Sequence, residues 1–175
     1  LNISSIGSGS VYDEKGLSIM DDVNFDGIED IAVGTVWGSR SIFVISGKDG
    51  SIIWNYDTDE YGDGGWVYEV DTGYDYNNDG IVDVLASSGD DGNDSGPRRI
   101  QLFDGRDGSK IWEHPFYEPM TAVISIDDIT GDSIPDVVCG SSPDYSDGYV
   151  YTLDGSSGNI ITQIDSNSSA IFGLC

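Results

Sequence analysis

Positive charge is scarce in this chain. Over 175 residues it has 7 Lys and Arg against 32 Asp and Glu, a formal charge of -25 at pH 7. Nucleic-acid binding needs clustered basic side chains on the phosphates, so this balance argues against a nucleic-acid partner and disfavours an anionic membrane surface. Cysteine is limited to Cys139 and Cys175, which leaves either one disulfide or two buried free thiols open. His114 is the only histidine, too few for a zinc centre of the usual kind. No apolar run reaches the roughly eighteen residues that a membrane-spanning helix needs, so no membrane insertion is expected. Leu1 to Ser10 lack the basic start and apolar centre of a signal peptide. Helical periodicity is absent from every stretch of about a dozen residues, and no Gly-x-Ser-x-Gly elbow occurs.

What the chain has instead is aspartate in a regular pattern. Glu occurs only at positions 14, 29, 60, 69, 113 and 118, and Asp, unlike Glu, favours turns and metal loops over helices. The stretch DVNFDGIEDIAVG opens at Asp22, DYNNDGIVDVLAS at Asp75 and DITGDSIPDVVCG at Asp128, each start 53 residues after the last. All three place an acid at position one, an oxygen donor at three, acids at five and nine, and a short apolar run after them. Oxygens crowded this closely repel one another unless a cation lies between them. A fixed period near fifty residues signals a repeat architecture, in which each unit buries its faces by stacking on its neighbours.

A second motif recurs in VISGKDGSIIWNY (44–56), LFDGRDGSKIWEH (102–114) and TLDGSSGNIITQI (152–164). A Gly-rich turn between two β-prone runs predicts a hairpin, with Trp54, Trp112 and Thr162 at matching places in its second strand. One full unit then reads as strands at 66–71, 83–88, 98–103 and 109–114, with the acidic loop between the first two. Four antiparallel strands repeating at this period predict an all-β fold, a β-propeller of four-stranded blades. The expected blades are 16–58, 64–118 and 119–166, with 1–15 ending a preceding blade and 168–175 opening a following one. Such a segment is expected to be part of a larger propeller, completed by the remaining blades of the same parent chain or by other copies.

The acidic loop and its following strand resemble FG-GAP repeats, the unit of integrin alpha-chain propellers, although the Phe-Gly and Gly-Ala-Pro signatures are absent. The hairpin motif is similar to quinoprotein-type repeats, in which a turn Gly and a Trp help dock adjacent blades. The FG-GAP resemblance implies calcium, about three ions per chain, and the oxygen donors support it. The implied ligands are Asp22, Asn24, Asp26, the Ile28 carbonyl and Asp30 in the first loop. In the second they are Asp75, Asn77, Asp79, the Ile81 carbonyl and Asp83. The third has Asp128, Thr130, Asp132, the Ile134 carbonyl and Asp136, and is expected to bind most weakly because Thr130 is a poorer ligand and Ser133 replaces the turn glycine. An EF-hand is excluded, because position twelve is Val33, Ala86 or Cys139 where a bidentate Glu is required. Metal-free Asp/Asn/Gly turns are the plain alternative.

No catalytic set stands out, and the chain itself is expected to be no enzyme. Asp57, Asp59, Glu60, Asp63, Asp90, Asp91 and Asp94 read as solvated loop acids. Trp54 and Trp112 read as blade packing; Trp37, Tyr61, Trp66 and Tyr145 are the candidates for recognition. Asn2, Asn93 and Asn167 open Asn-x-Ser acceptors for glycosylation. The expectation is a calcium-stabilised extracellular or cell-surface module that binds protein or glycan or serves adhesion. The alternatives are a non-catalytic part of a secreted propeller enzyme, of polysaccharide lyase or quinoprotein type, and a structural subunit of a surface assembly.

Overall fold

A computed structural model describes residues 10–12, 14–58, 65–90, 96–142, 148–167, 169, 171 and 173. Besides a 3-10 turn at Glu14–Gly16, the elements among the described residues are strands: β1 (Leu17–Met20), β2 (Asp30–Gly34), β3 (Ser41–Ile45) and β4 (Ile52–Asp57) in the first blade. The second blade holds β5 (Trp66–Asp71), β6 (Val84–Gly89), β7 (Arg99–Phe103) and β8 (Lys110–Pro115). The third holds β9 (Met120–Ile126), β10 (Asp136–Ser141), β11 (Tyr149–Leu153) and β12 (Ile160–Asp165). Each blade is a four-stranded antiparallel sheet in chain order, as the repeat predicts. Residues 1–9, with the expected last strand of a preceding blade, lie outside the described residues.

The blades stack face to face, and period-two alternation serves both faces of the middle one. Val84, Ala86 and Phe103 point to the first blade, where they pack with Ala32, Ile42, Val44 and Trp54. Leu85, Ile100 and Leu102 point the other way, onto Val123, Val137, Cys139 and Leu153. Each fully buried aliphatic side chain contributes about 1.5–3 kcal/mol, so the two inter-blade layers carry most of the packing energy. Along β12, by contrast, every residue is exposed.

Every third strand meets its fourth with the same irregularity, a register shift at Val44/Ile45, Leu102/Phe103 and Thr152/Leu153. A bulge at this place sharpens the strand twist before the turn. The hairpin then closes through Gly50, Gly108 and Gly158 at φ of 76°, 74° and 71°, a conformation that favours glycine. Chain direction therefore puts the acidic loops and these hairpin turns at one end of the blades. The connections between second and third strands, and the crossovers between blades, lie at the other end.

Candidate functional site

At the first end, each acidic loop and the hairpin turn of its own blade form one unit. The acid at position nine joins them. Asp30, Asp83 and Asp136 are at most 1% exposed, and both carboxylate oxygens of each receive backbone N–H groups. Asp30 accepts from Val23 at 2.9 Å and from Gly47 at 3.1 Å. Asp83 accepts from Tyr76 at 2.8 Å and Gly105 at 3.0 Å, and Asp136 from Ile129 at 2.8 Å and Gly155 at 2.9 Å. Burial pushes the Asp83 carboxyl up to about 6, with the Gly105 and Tyr76 amides acting against it.

This docking explains the first hairpin glycine. A Cβ on Gly47, Gly105 or Gly155 would lie 2.0, 2.0 or 1.7 Å from the backbone oxygen of Glu29, Val82 or Pro135. The neighbouring blade then clamps the turn from outside. Trp54 donates its indole N–H to the Gly105 carbonyl at 2.9 Å, and Trp112 does the same to Gly155 at 2.7 Å. A Cβ on Gly108 or Gly158 would meet the Trp54 or Trp112 ring at 2.7 Å. The two tryptophans thus dock blade to blade, as expected for them; Thr162, at their place in the third blade, lies on exposed β12.

In front of this peg, the oxygens at positions one, three and five gather around the loop backbone. Asp22 and Asn24 both accept from the Asp26 amide, at 2.9 and 3.0 Å, and Asp22 also accepts from Gly27 at 2.7 Å. The second loop repeats this: Asp75 and Asn77 share the Asp79 amide at 3.2 and 2.9 Å, and Gly80 donates to Asp75 at 2.8 Å. In the third, Asp128 accepts from Gly131 at 2.6 Å and Ser133 at 2.8 Å, and these amides hold its carboxyl below the usual carboxylate range. The position-five acids Asp26, Asp79 and Asp132 cap the amides of Ile28, Ile81 and Ile134 at 3.1, 2.9 and 2.8 Å.

All three loops follow one backbone path with positive φ at positions four and six: Phe25 and Gly27 (60° and 92°), Asn78 and Gly80 (60° and 90°), Gly131 and Ser133 (86° and 72°). The third loop has not lost its glycine; it has moved it from position six to position four. Ser133 therefore leaves the loop shape unchanged, a compensation that inspection of position six alone misses.

Among the described residues, no three His, Cys, Asp or Glu side chains converge as a metal cluster, because the position-nine acid is turned back to its amides. The donor chemistry of the front set fits a hard cation. Its atoms are all oxygens, and an oxygen that accepts one N–H keeps a second lone pair. Asp22, Asn24, Asp26 and the Ile28 carbonyl would hold such an ion in the first loop, with Asp30 positioning the loop behind it. Their counterparts in the other loops would do likewise.

At the opposite end, the structure brings two of the recognition candidates together. Trp37, 55% exposed and at φ 50°, sits on Trp66 with ring centroids 4.3 Å apart. Trp66, the first residue of β5, also meets Tyr68, which in turn meets Tyr12. Asp90 pairs with Arg98 at 2.7 Å. Asp57 ends β4, and Asn167 is exposed beyond β12. Tyr61, Tyr145, Asp59, Glu60, Asp63, Asp91, Asp94, Asn2, Asn93 and Cys175 lie outside the described residues.

No family model matches the chain, and no curated protein matches it. Solved structures do. An exotype rhamnogalacturonan lyase, YesX, aligns at TM-score 0.57 and 15% identity, over 93% of this chain and 36% of its own. A rhamnogalacturonan lyase of Bacillus licheniformis aligns at TM-score 0.57 and 14% identity, over 87% of this chain and 34% of its own. A quinohemoprotein alcohol dehydrogenase of Comamonas testosteroni aligns at 0.51 and 15%, over 87% and 23%. The fold is that of a propeller, and the chain spans about a third or less of the proteins it resembles.

Proposed function

We propose that this chain is a scaffold segment of a larger extracellular propeller, non-catalytic in itself, whose three acidic loops take calcium as a structural ion. The observation that supports the reading is the threefold peg: in every blade a buried aspartate ties the acidic loop to the hairpin turn, and in the second and third blades a tryptophan of the preceding blade holds that turn. An ion in the front oxygens would stiffen the strand connection, the turn behind it and the docking of the adjacent blade. Calcium suits the oxygen donor set, and extracellular calcium is plentiful enough for weak loops of this kind. The fold likeness to rhamnogalacturonan lyases and a quinohemoprotein alcohol dehydrogenase is in keeping with a non-catalytic part of such an enzyme. The Trp37–Trp66 step favours a second role, recognition of a protein or glycan at the opposite end.

Thermal melting with calcium, with magnesium and with a chelator tests the proposal. Calcium at a hundredfold excess over its dissociation constant adds about 2.7 kcal/mol per site, or roughly 5–10 °C for a chain of this size. A calcium-specific rise of at least this size supports the proposal; superimposable curves in calcium and chelator remove it.

A further inference from the structure

Two of the three acidic loops carry a cation of their own, and the third does not. In the second blade the Arg106 guanidinium reaches out of the hairpin turn to the position-five carboxylate, with Nε 3.2 Å and Nη2 3.1 Å from Asp79 Oδ2. In the first blade the same turn position is Lys48, whose Nζ donates to the Asp26 carbonyl at 3.2 Å. There the position-five carboxylate receives a neutral hydroxyl, Ser46 Oγ, at 3.1 Å. In the third blade this turn position is Ser156, which turns inward and gives both its hydroxyl and its amide to Asp154, at 2.6 and 2.9 Å. The backbone path through the three loops is the same, as their paired positive φ values show. What differs at position five is the charge that the hairpin presents. The hairpins differ in a second charge as well: the second blade carries Asp104, which accepts from the Asn77 side-chain amide at 2.9 Å, and the third carries Asp154, where the first has neutral Ser46.

We propose that this hairpin residue is a resident counter-ion that weakens divalent binding in its own loop, so that the third loop, which has none, fills before the other two. The inference rests on the calcium reading, and it reverses the ranking that Thr130 and Ser133 suggest from sequence. A fixed positive charge roughly 5–7 Å from a divalent ion weakens its binding by about three- to tenfold at ordinary ionic strength. Arg106 sits on a ligand carboxylate itself and Lys48 on the carbonyl of the equivalent residue; the Asp104 carboxylate in the same turn as Arg106 offsets part of its charge. The Arg106–Asp79 pair is largely solvent-exposed, at 47% and 28% for the two side chains, so its loss costs the fold little. Arg106 is accordingly a tuning residue for the ion rather than a ligand.

A calcium titration followed by two-dimensional 15N–1H NMR reads the loops separately, because Gly27, Gly80 and Ser133 each donate an amide to their own position-one carboxylate, at 2.7, 2.8 and 2.8 Å. In the wild-type chain the Ser133 amide is expected to saturate at the lowest calcium, before those of Gly27 and Gly80. Arg106→Gln should shift the Gly80 midpoint three- to tenfold lower and leave Ser133 in place, and Ser156→Arg should move Ser133 the other way. If all three amides shift with calcium but Arg106→Gln leaves the Gly80 midpoint unchanged, the counter-ion inference is overturned while the calcium reading stands. If no loop amide responds to calcium, both fall.

Discussion

Replacing Gly105 with alanine strikes the unit where acidic loop, hairpin turn and neighbouring blade meet. The added methyl would lie 2.0 Å from the Val82 carbonyl oxygen, well inside contact distance, and neither a Cβ nor a backbone oxygen can move aside by a change of rotamer. The turn must therefore lift. Lifting breaks the 3.0 Å hydrogen bond from the Gly105 amide to buried Asp83 and the 2.9 Å bond from the Trp54 indole to the Gly105 carbonyl. A hydrogen bond to a charged group contributes about 1.5–3 kcal/mol and a neutral one about 1 kcal/mol. The expected loss is thus about 2.5–4 kcal/mol, a large share of the stability of an ordinary domain. Urea unfolding followed by tryptophan fluorescence reads it directly. Gly73→Ala serves as control, since a Cβ there meets nothing nearer than 3.7 Å. A Gly105→Ala chain within about 1 kcal/mol of that control would refute the idea that the turn is pinned to the acidic loop.

Three further outcomes follow from the same geometry. Ser133→Gly relieves a non-glycine residue held at φ 72° and should raise stability by about 0.5–1 kcal/mol once the extra freedom of glycine in the unfolded chain is offset; a loss of stability would contradict the assigned backbone path. Trp112→Phe keeps an aromatic ring but removes the five-membered part of the indole and with it the 2.7 Å bond to Gly155, and should cost at least about 1–2 kcal/mol in chemical denaturation; a neutral result would show that the indole N–H does not clamp the turn. Cys139 is fully buried and burial pushes its thiol up, so in a Cys175→Ser chain a thiol reagent should react slowly at pH 8 and rapidly in urea. Equal rates would place Cys139 at the surface.

Much of this architecture is legible in the sequence because two periodic signals report separate parts of it. The acidic loops and the Gly-rich turns place the four strands of the middle blade to within a residue, as β6 (Val84–Gly89) and β8 (Lys110–Pro115) illustrate against the expected 83–88 and 109–114. The site is legible in its residue types but not in its roles. An aspartate at position nine reads the same whether it meets an ion or two amides, and only its contact with Gly105, 22 residues away, shows it acting as a peg. The shift of glycine to position 131 is hidden because a turn can place its strain at either of two positions. The Trp37–Trp66 contact depends on blade stacking, which no local pattern encodes. Lys48 and Arg106 look like ordinary turn residues until the hairpin is folded back on the loop.

Native mass spectrometry of the chain in calcium-containing volatile buffer tests the central claim most directly. Three calcium ions should bind the wild-type chain, and Asp75→Asn, which weakens the first ligand of the second loop, should leave two at the same calcium concentration. A wild-type mass unchanged by calcium, or an ion count indifferent to Asp75, would contradict the assignment of one ion to each acidic loop.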